Sequence, residues 1–539
     1  MVGTHRLSGP AHRRREIPIW VARLAVGLST GFSLGLGFFD LNKRSLWLDE
    51  GYTWLIADQR LSTIHTIANA QGYHLYAYYL LIHAMIAVFG DSAVVLRSPS
   101  VVAGALCIPL IHLVIARLAG RTAGVYAAIL LAVSEPFVFW QQNARDYAFV
   151  SLFAVLSMLA LVISVQSDKW PPWALWLIVT TFGSYTHPEM LLLLPPEMVV
   201  AFLWARSNRT RVVMITAVAI GAIAAAPILA EASHSSVYQT STLQQANYGS
   251  ATEISTFLAS AAASSMPVGP VDHALLGLTF GLLLVGAVML ATDLVDFGCR
   301  PENFGLGLTL ACSILPFVLA WAASESGHPD FLDRYLVVSL WAVAGGLAIV
   351  LSRVHPPVLG IFGLLYLTVF RMGVLIPTYH VSVQDYRDAT MNVIGRAQHG
   401  DCVTFSSNNG RILWDYYAPR MARQSARQKT APVQVMPSIV GSSPAVDLAA
   451  AGITVNVITA TQSVKAVAVA AYYCNRVFLV GSQYGSPTGS PALRAQYAST
   501  VNLLHNMSRY FDRSNLTRFG AVEITLFTPK PGVPHVPQK

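Results

Sequence analysis

The chain has 539 residues, 54% of them hydrophobic and only 12% charged, with a mean hydropathy of +0.51 and a formal net charge of +8. Repeated runs of about twenty nearly uncharged residues exclude a water-soluble core and indicate an integral membrane protein. The five cysteines show no CxxC or zinc-ribbon spacing, no internal repeat is evident, and nuclease, kinase and dinucleotide-binding motifs are absent, which leaves no nucleic-acid partner and disfavours a cytoplasmic nucleotide-sugar donor.

In chain order, a basic stretch (Arg13, Arg14, Arg15) precedes an apolar run from about Pro18 to Phe39 without a convincing small-residue cleavage site. It reads as a retained first helix with the N-terminus inside, because Lys and Arg in short loops lie on the cytoplasmic side. Further apolar spans are expected at 97–116, 123–140, 147–166, 172–187, 190–205, 211–230, 273–292, 305–323, 335–352 and 357–377, eleven in all with the first. The segment "HLYAYYLLIHAMIAVFG", residues 74–90, is apolar but short and tyrosine-rich. Laid along the outer interface, it leaves Arg117, Arg121, Arg206, Arg209, Arg211, Arg300 and Arg353 inside, so residues 40–96 form one large external loop. The same parity puts "QQNARDY" (141–147), "YTHPE" (185–189) and the loops 231–272 and 324–334 outside with it. The spans read as free of acids at mid-depth, which a transporter would be expected to carry.

From residue 378 the pattern changes to a soluble α/β domain, 378–539, placed outside by the odd number of spans. "DYRDATMNVIGRAQHGDCVTF" reads as helix, turn and strand, and "CNRVFLVGS" as a second buried strand. From residue 385 onward there are 15 Lys and Arg against 7 Asp and Glu, a difference of +8 that equals the excess of the whole chain. The basic outer domain suits anionic head groups or glycans, or is an ordinary soluble surface. External placement makes Cys402 and Cys474 candidates for a disulfide, the alternative being two buried thiols. Cys107, Cys299 and Cys312 read as packing residues.

Residues 45–54, "SLWLDEGYTW", set Asp49 beside Glu50 at the water–lipid boundary. A carboxylate there accepts a proton from a hydroxyl or ligates a divalent ion; the competing reading is a helix cap. Arg371, inside the last span, is either a contact for a lipid phosphate or a snorkelling structural residue. His187 with Glu189, and His328 with Glu325, are candidate substrate or metal contacts, and Glu50 is a further metal candidate.

"SLWLDEGYTWLIA", "YHLYAYYLLIHAMIAVFGDSAVVLRSPSVVAG", "EPFVFWQQNARDYAF", "YTHPEMLLLL" and "DRYLVVSLWAVAGGL" follow one another in order. Together they resemble the GT-C membrane glycosyltransferases of the protein-mannosyltransferase and lipid A aminoarabinose-transferase superfamily, over residues 1–377. The resemblance implies transfer of a sugar from a polyprenyl-phosphate donor to a hydroxyl on a lipid, glycan or protein, at the outer face of the cytoplasmic membrane. Mannose and arabinose are the leading sugars, and a divalent metal ion is a candidate cofactor. Asp49 maps to the family's base and Glu50 to the second acid of the pair. Arg145 and Tyr147 map to its Glu-Ala-Arg-x-Tyr stretch, and Arg334 and Tyr335 to its late Arg-Tyr. Arg97, Arg145 and Arg334 come out external and suit a phosphate whose charge develops on leaving, or else snorkel at the interface. Two departures stand out: Asn143 replaces the family's Glu, and His74 is followed by Leu75 where relatives have proline, so a donor-binding role for His74 rests on position alone. The expected mechanism is a single inverting displacement; the alternatives are a lipid or glycolipid transporter and a non-catalytic glycolipid-binding scaffold.

Overall fold

The structure is a computed structural model that describes residues 16–70, 73–167, 169–205, 207–234, 270–325, 333–382, 384–398, 401–406, 408–426, 434–435, 464–481 and 491–534. Its membrane part begins with α1 (Ile19–Phe38), then three short helices, α2 (Leu48–Ala57), α3 (Leu61–Ala70) and α4 (Tyr76–Phe89). The bundle continues with α5 (Ala93–Ala119), α6 (Arg121–Ala132), α7 (Glu135–Gln141), α8 (Tyr147–Ser167), α9 (Trp170–Thr186), α10 (Leu194–Trp204), α11 (Asn208–His234), α12 (Pro270–Phe297), α13 (Pro301–Glu325), α14 (Leu340–Arg353) and α15 (Pro357–Thr378). Among the described residues, eight helical segments are long and apolar enough to cross a membrane, and a ninth span arises if α6 and α7, bent by 61°, are taken as one. The segments expected at 172–187 and 190–205 fall short of that length, as a 17-residue α9 and an 11-residue α10 preceded by a 3₁₀ turn.

Helix packing follows the rule for bilayers, small residues inward and large apolar ones toward lipid. On α1, Ala22, Ser29, Ser33 and Gly37 are buried, while Trp20, Leu24, Leu28 and Phe32 are exposed. Gly37 and Gly104 leave no room for a Cβ against Gln141, whose Nε2 donates to the Ser33 carbonyl at 3.0 Å. The break between α6 and α7 removes the amide that would cap Leu130, and Arg371 of α15 donates to that carbonyl from Nη1 at 2.7 Å. This is how a broken helix is tolerated inside a bundle, with a side chain satisfying the freed backbone group.

Two expectations need correction. Glu197 of α10 is fully buried within the bundle, so the spans are not free of acids. It is accommodated because Trp176 Nε1 donates to it at 2.9 Å and Ser157 Oγ at 3.5 Å. Cys299 is exposed in the α12–α13 connection and is no packing residue, unlike the buried Cys107 and Cys312.

One end of the bundle gathers the start of α1 with the basic connections. Arg121 bonds Glu16 and the Ile17 carbonyl, Gln166 reaches the Arg117 carbonyl, and Trp204 donates to the Arg300 carbonyl. Helices α2, α3 and α4 and the turn between α7 and α8 lie at the opposite end, a twenty-residue helix away, about 30 Å.

The C-terminal part comprises α16 (Tyr386–Arg396), β1 (Cys402–Phe405), α17 (Asn408–Ala426), β2 (Gln434–Val435), α18 (Val464–Tyr473), β3 (Val477–Gly481), α19 (Pro491–Tyr510), β4 (Phe511–Phe519) and β5 (Val522–Pro529). They build a sheet of order β2-β1-β3-β5-β4, parallel across β2, β1 and β3 and antiparallel beyond. β3 is buried along its whole length, as a central strand covered on both faces must be. β4 is an edge strand whose mostly exposed residues include Asp512, Arg513 and Arg518, the charges that discourage edge pairing. Cys402 and Cys474 are joined in a disulfide with Cα atoms 5.7 Å apart. This sheet domain is not a remote appendage: α17 packs on α2, where Leu413 and Ile412 close over Gly51.

Candidate active site

The site begins with the turn that follows α1. Arg97 on α5 is 1% exposed and reaches back into this turn, donating to the carbonyls of Leu41 (2.8 Å), Arg44 (3.0 Å) and Ser45 (3.0 Å). Its remaining N–H groups form a fork on Glu50, Nε to Oε1 at 2.7 Å and Nη2 to Oε2 at 2.6 Å. A guanidinium has five N–H donors, and here all five meet protein acceptors. Glu50 also accepts from the Ala144 amide at 2.7 Å and from Trp47 N at 3.3 Å, which caps α2. A single buried carboxylate therefore fixes α2, α5 and the turn 142–146 against one another.

The cap reading thus describes Glu50, whereas its neighbour Asp49 is directed elsewhere. The Asp49 carboxylate is 27% exposed and stands 3.8 Å from Arg334 Nη1, itself 25% exposed. Arg145, partly buried in the turn, extends Nη1 toward Thr53 Oγ1 at 3.5 Å, and its carbonyl accepts from Ser100 Oγ at 2.9 Å. Burial alone would lower its pKa, but Asp49 foremost, then Tyr147 and Asp146, hold the guanidinium above its ordinary value. A partly exposed carboxylate is thus paired with Arg334 and is the foremost charge acting on Arg145.

Around this group the structure adds rings and further titratable groups. Tyr147 lies 4.5 Å from Trp140 and 5.4 Å from His187, ring centroid to centroid, and His74 meets His187 edge-to-face at 5.2 Å. The Glu189 carboxylate lies against His187 Nδ1. Burial, then Arg145, lowers the pKa of His74 to about 3, so its imidazole is neutral. Burial raises Asp146 to about 7 despite the neighbouring Arg145. Ligand atoms of His74, Asp146 and His187 all lie within 4.8 Å of one another, the one group of potential metal ligands among the described residues.

The structure therefore brings together Asp49, Arg145, Tyr147, Arg334, His74 and His187. It places Glu50 and Arg97 behind them in the closed ion pair, and Arg371 on the helix break at Leu130. Of the metal candidates, Glu50 is committed to Arg97, while Glu325 is the last residue of α13 and only its backbone is described. The side chain of Tyr335 and all of His328 lie outside the described residues. Asn143, standing where the resemblance expects Glu, accepts from Trp47 Nε1 at 2.8 Å and donates to the Phe139 carbonyl at 2.6 Å. Asp146 was not singled out from the sequence; the only signal was its place beside Arg145 in a polar turn between apolar helices.

Residues 75–230 match the family model described as dolichyl-phosphate-mannose-protein mannosyltransferase. The resemblance read from the sequence thus holds over that segment, and a polyprenyl-phosphate-sugar-dependent membrane glycosyltransferase is the enzyme class the model describes. No curated protein matches by sequence. Among solved structures, ArnT from Cupriavidus metallidurans bound to undecaprenyl phosphate is 11% identical, covering 96% of this chain and 99% of that one, TM-score 0.40. Archaeal oligosaccharyltransferase AglB from Archaeoglobus fulgidus, in complex with an inhibitory peptide and a dolichol-phosphate, is 11% identical over 95% of this chain and 74% of that one, TM-score 0.48. Arabinosyltransferase EmbB from Mycobacterium smegmatis is 14% identical over 93% of this chain and 42% of that one, TM-score 0.38.

Proposed function

We propose that this chain, matched over residues 75–230 by the dolichyl-phosphate-mannose-protein mannosyltransferase family, transfers a sugar from a polyprenyl-phosphate donor to a hydroxyl acceptor at the outer face of the cytoplasmic membrane. In this reading eleven segments cross the bilayer, the N-terminus is inside, and the sheet domain (378–539) and the Asp49 cluster are outside. Mannose and arabinose are the leading donors; the acceptor is an envelope glycan, lipid or protein.

The observation that carries the reading is the partly exposed Asp49, 3.8 Å from Arg334 and the foremost charge acting on Arg145. Asp49 takes the proton of the acceptor hydroxyl, whose oxygen attacks the anomeric carbon as the bond to the donor phosphate breaks. Arg145 and Arg334 receive the charge that develops on the leaving phosphate, in a site whose donors are already oriented. One displacement inverts the anomeric configuration. Glu50 and Arg97 become positioning residues, because their hydrogen-bonding capacity is spent on the scaffold. Arg371 stabilises the α6–α7 break. The buried Glu197 is closed off by Trp176 and Ser157, which does not favour a transport path.

The test is transfer of radiolabelled sugar in membranes from a panel of polyprenyl-phosphate sugars, wild type beside Asp49→Asn. Loss of a general base costs about 10²–10⁴-fold, so transfer from one donor should fall by that factor at equal protein level. Full activity of the variant, or no reaction with any donor, would return Asp49 to a structural role. Product anomer analysis tests inversion separately.

A further inference from the structure

His74, Asp146 and His187 come from three distant stretches of chain: the turn before α4, the turn before α8 and the C-cap of α9. We propose that these three side chains form a site for a divalent transition-metal ion of the zinc type. One ligand atom from each lies within 4.8 Å of the other two. Zinc bonds of about 2.0–2.1 Å would set neighbouring ligand atoms roughly 3.3 Å apart, so closing on an ion needs side-chain movements of about an ångström.

Four observations point the same way. His74 Nε2 and both carboxylate oxygens of Asp146 are buried without a hydrogen-bond partner in the protein, an arrangement that is destabilising unless something satisfies it. Arg145 does not serve that purpose. Its Nη1 reaches toward Thr53 Oγ1 at 3.5 Å, and it makes no hydrogen bond to the Asp146 carboxylate.

The backbone around His74 is held in an unfavourable form to present the ring. Tyr73 and Leu75 both have left-handed conformations, with φ of 63° and 60°, although neither is glycine. The Leu75 amide then donates to the Tyr185 carbonyl at 3.2 Å, which ties this turn to the end of α9, two residues from His187. The chain retains this strain where it brings two imidazoles together.

The outer partner of a metal-bound histidine is present as well. Glu189 lies against His187 Nδ1, the position from which a carboxylate orients a ligating imidazole. Two imidazoles and one carboxylate favour zinc over magnesium or calcium, which prefer all-oxygen ligands. Three protein ligands leave a coordination position open. The ion would also join the first external loop to α9, compensating the desolvation of Asp146.

This inference stands apart from the transfer reading, because its test reads bound metal. The full chain, purified in detergent, is equilibrated with zinc, freed of unbound metal and analysed for metal content. About one zinc per chain is expected. X-ray absorption on the same wild-type sample should show imidazole nitrogens together with oxygen, a readout that needs no variant to fold. His187→Ala and Asp146→Asn should each weaken zinc binding at least tenfold, and Glu189→Gln by about 10–100-fold. The proposal is overturned if wild type retains no stoichiometric zinc, if the absorption spectrum lacks imidazole, or if His187→Ala and Asp146→Asn bind zinc as wild type does.

Discussion

Asp49 and Glu50 are adjacent, but a helix turns roughly 100° per residue, so their carboxylates enter different surroundings. Glu50 is fully buried and forked on Arg97; Asp49 is partly exposed and faces Arg334. Substitution should separate the two roles. Glu50→Gln leaves the Arg97 charge buried without its counter-ion, and breaking such a pair costs about 3–5 kcal/mol. Thermal unfolding of the detergent-solubilised protein should show this loss, while Asp49→Asn should unfold close to wild type and lose transfer. Equal unfolding of the two variants would mean that the fork on Arg97 contributes nothing to stability.

At the scale of elements, α2 is held from three sides. Glu50 anchors its first turn to α5 and the turn 142–146. Trp54 Nε1 donates to Asp91 at 3.2 Å, and Asp91 pairs with Arg420 of α17. Gly51 has no Cβ because Leu413 and Ile412 of α17 occupy that space. The chain just before α2 is held too, since Leu46 N donates to Tyr417 Oη at 2.6 Å and Leu48 N to Gln384 at 3.1 Å. The sheet domain is therefore part of what orients Asp49. Leu413→Ala, at a fully buried site, should cost about 2–5 kcal/mol and also lower transfer through α2. Unchanged transfer by a destabilised variant would show that the domain is not needed to hold the base.

For the whole molecule, the basic connections and the start of α1 share one end and the Asp49 cluster the other. The chain carries its own probe of which end is inside. Cys107 and Cys312 are buried and Cys402 is bonded to Cys474, which leaves Cys299, beside Arg300, as the exposed free thiol. A membrane-impermeant maleimide should label Cys299 only after intact cells are permeabilised; labelling without permeabilisation would reverse the topology. The disulfide closes a separation of 72 residues, for which chain entropy assigns about 4 kcal/mol. Cys474→Ser should therefore loosen the sheet domain, measured as faster proteolysis of the C-terminal part.

The sequence by itself determined the membrane class, the break in character near 378 and the two buried strands, because hydropathy and periodicity are local and each residue reports its own solvent. It also marked Asp49, Arg145 and Arg334 as polar residues at the ends of apolar runs. It did not separate Asp49 from Glu50, foresee that Arg97 is spent on Glu50, or find Asp146. It also left the β4–β5 hairpin unrecognised. Those outcomes depend on partners 47 positions away for Glu50–Arg97 and 241 for Arg371–Leu130. Only the packed structure decides whether a charged group faces solvent, a counter-ion or a freed carbonyl, because desolvation and hydrogen bonding are set by neighbours in space.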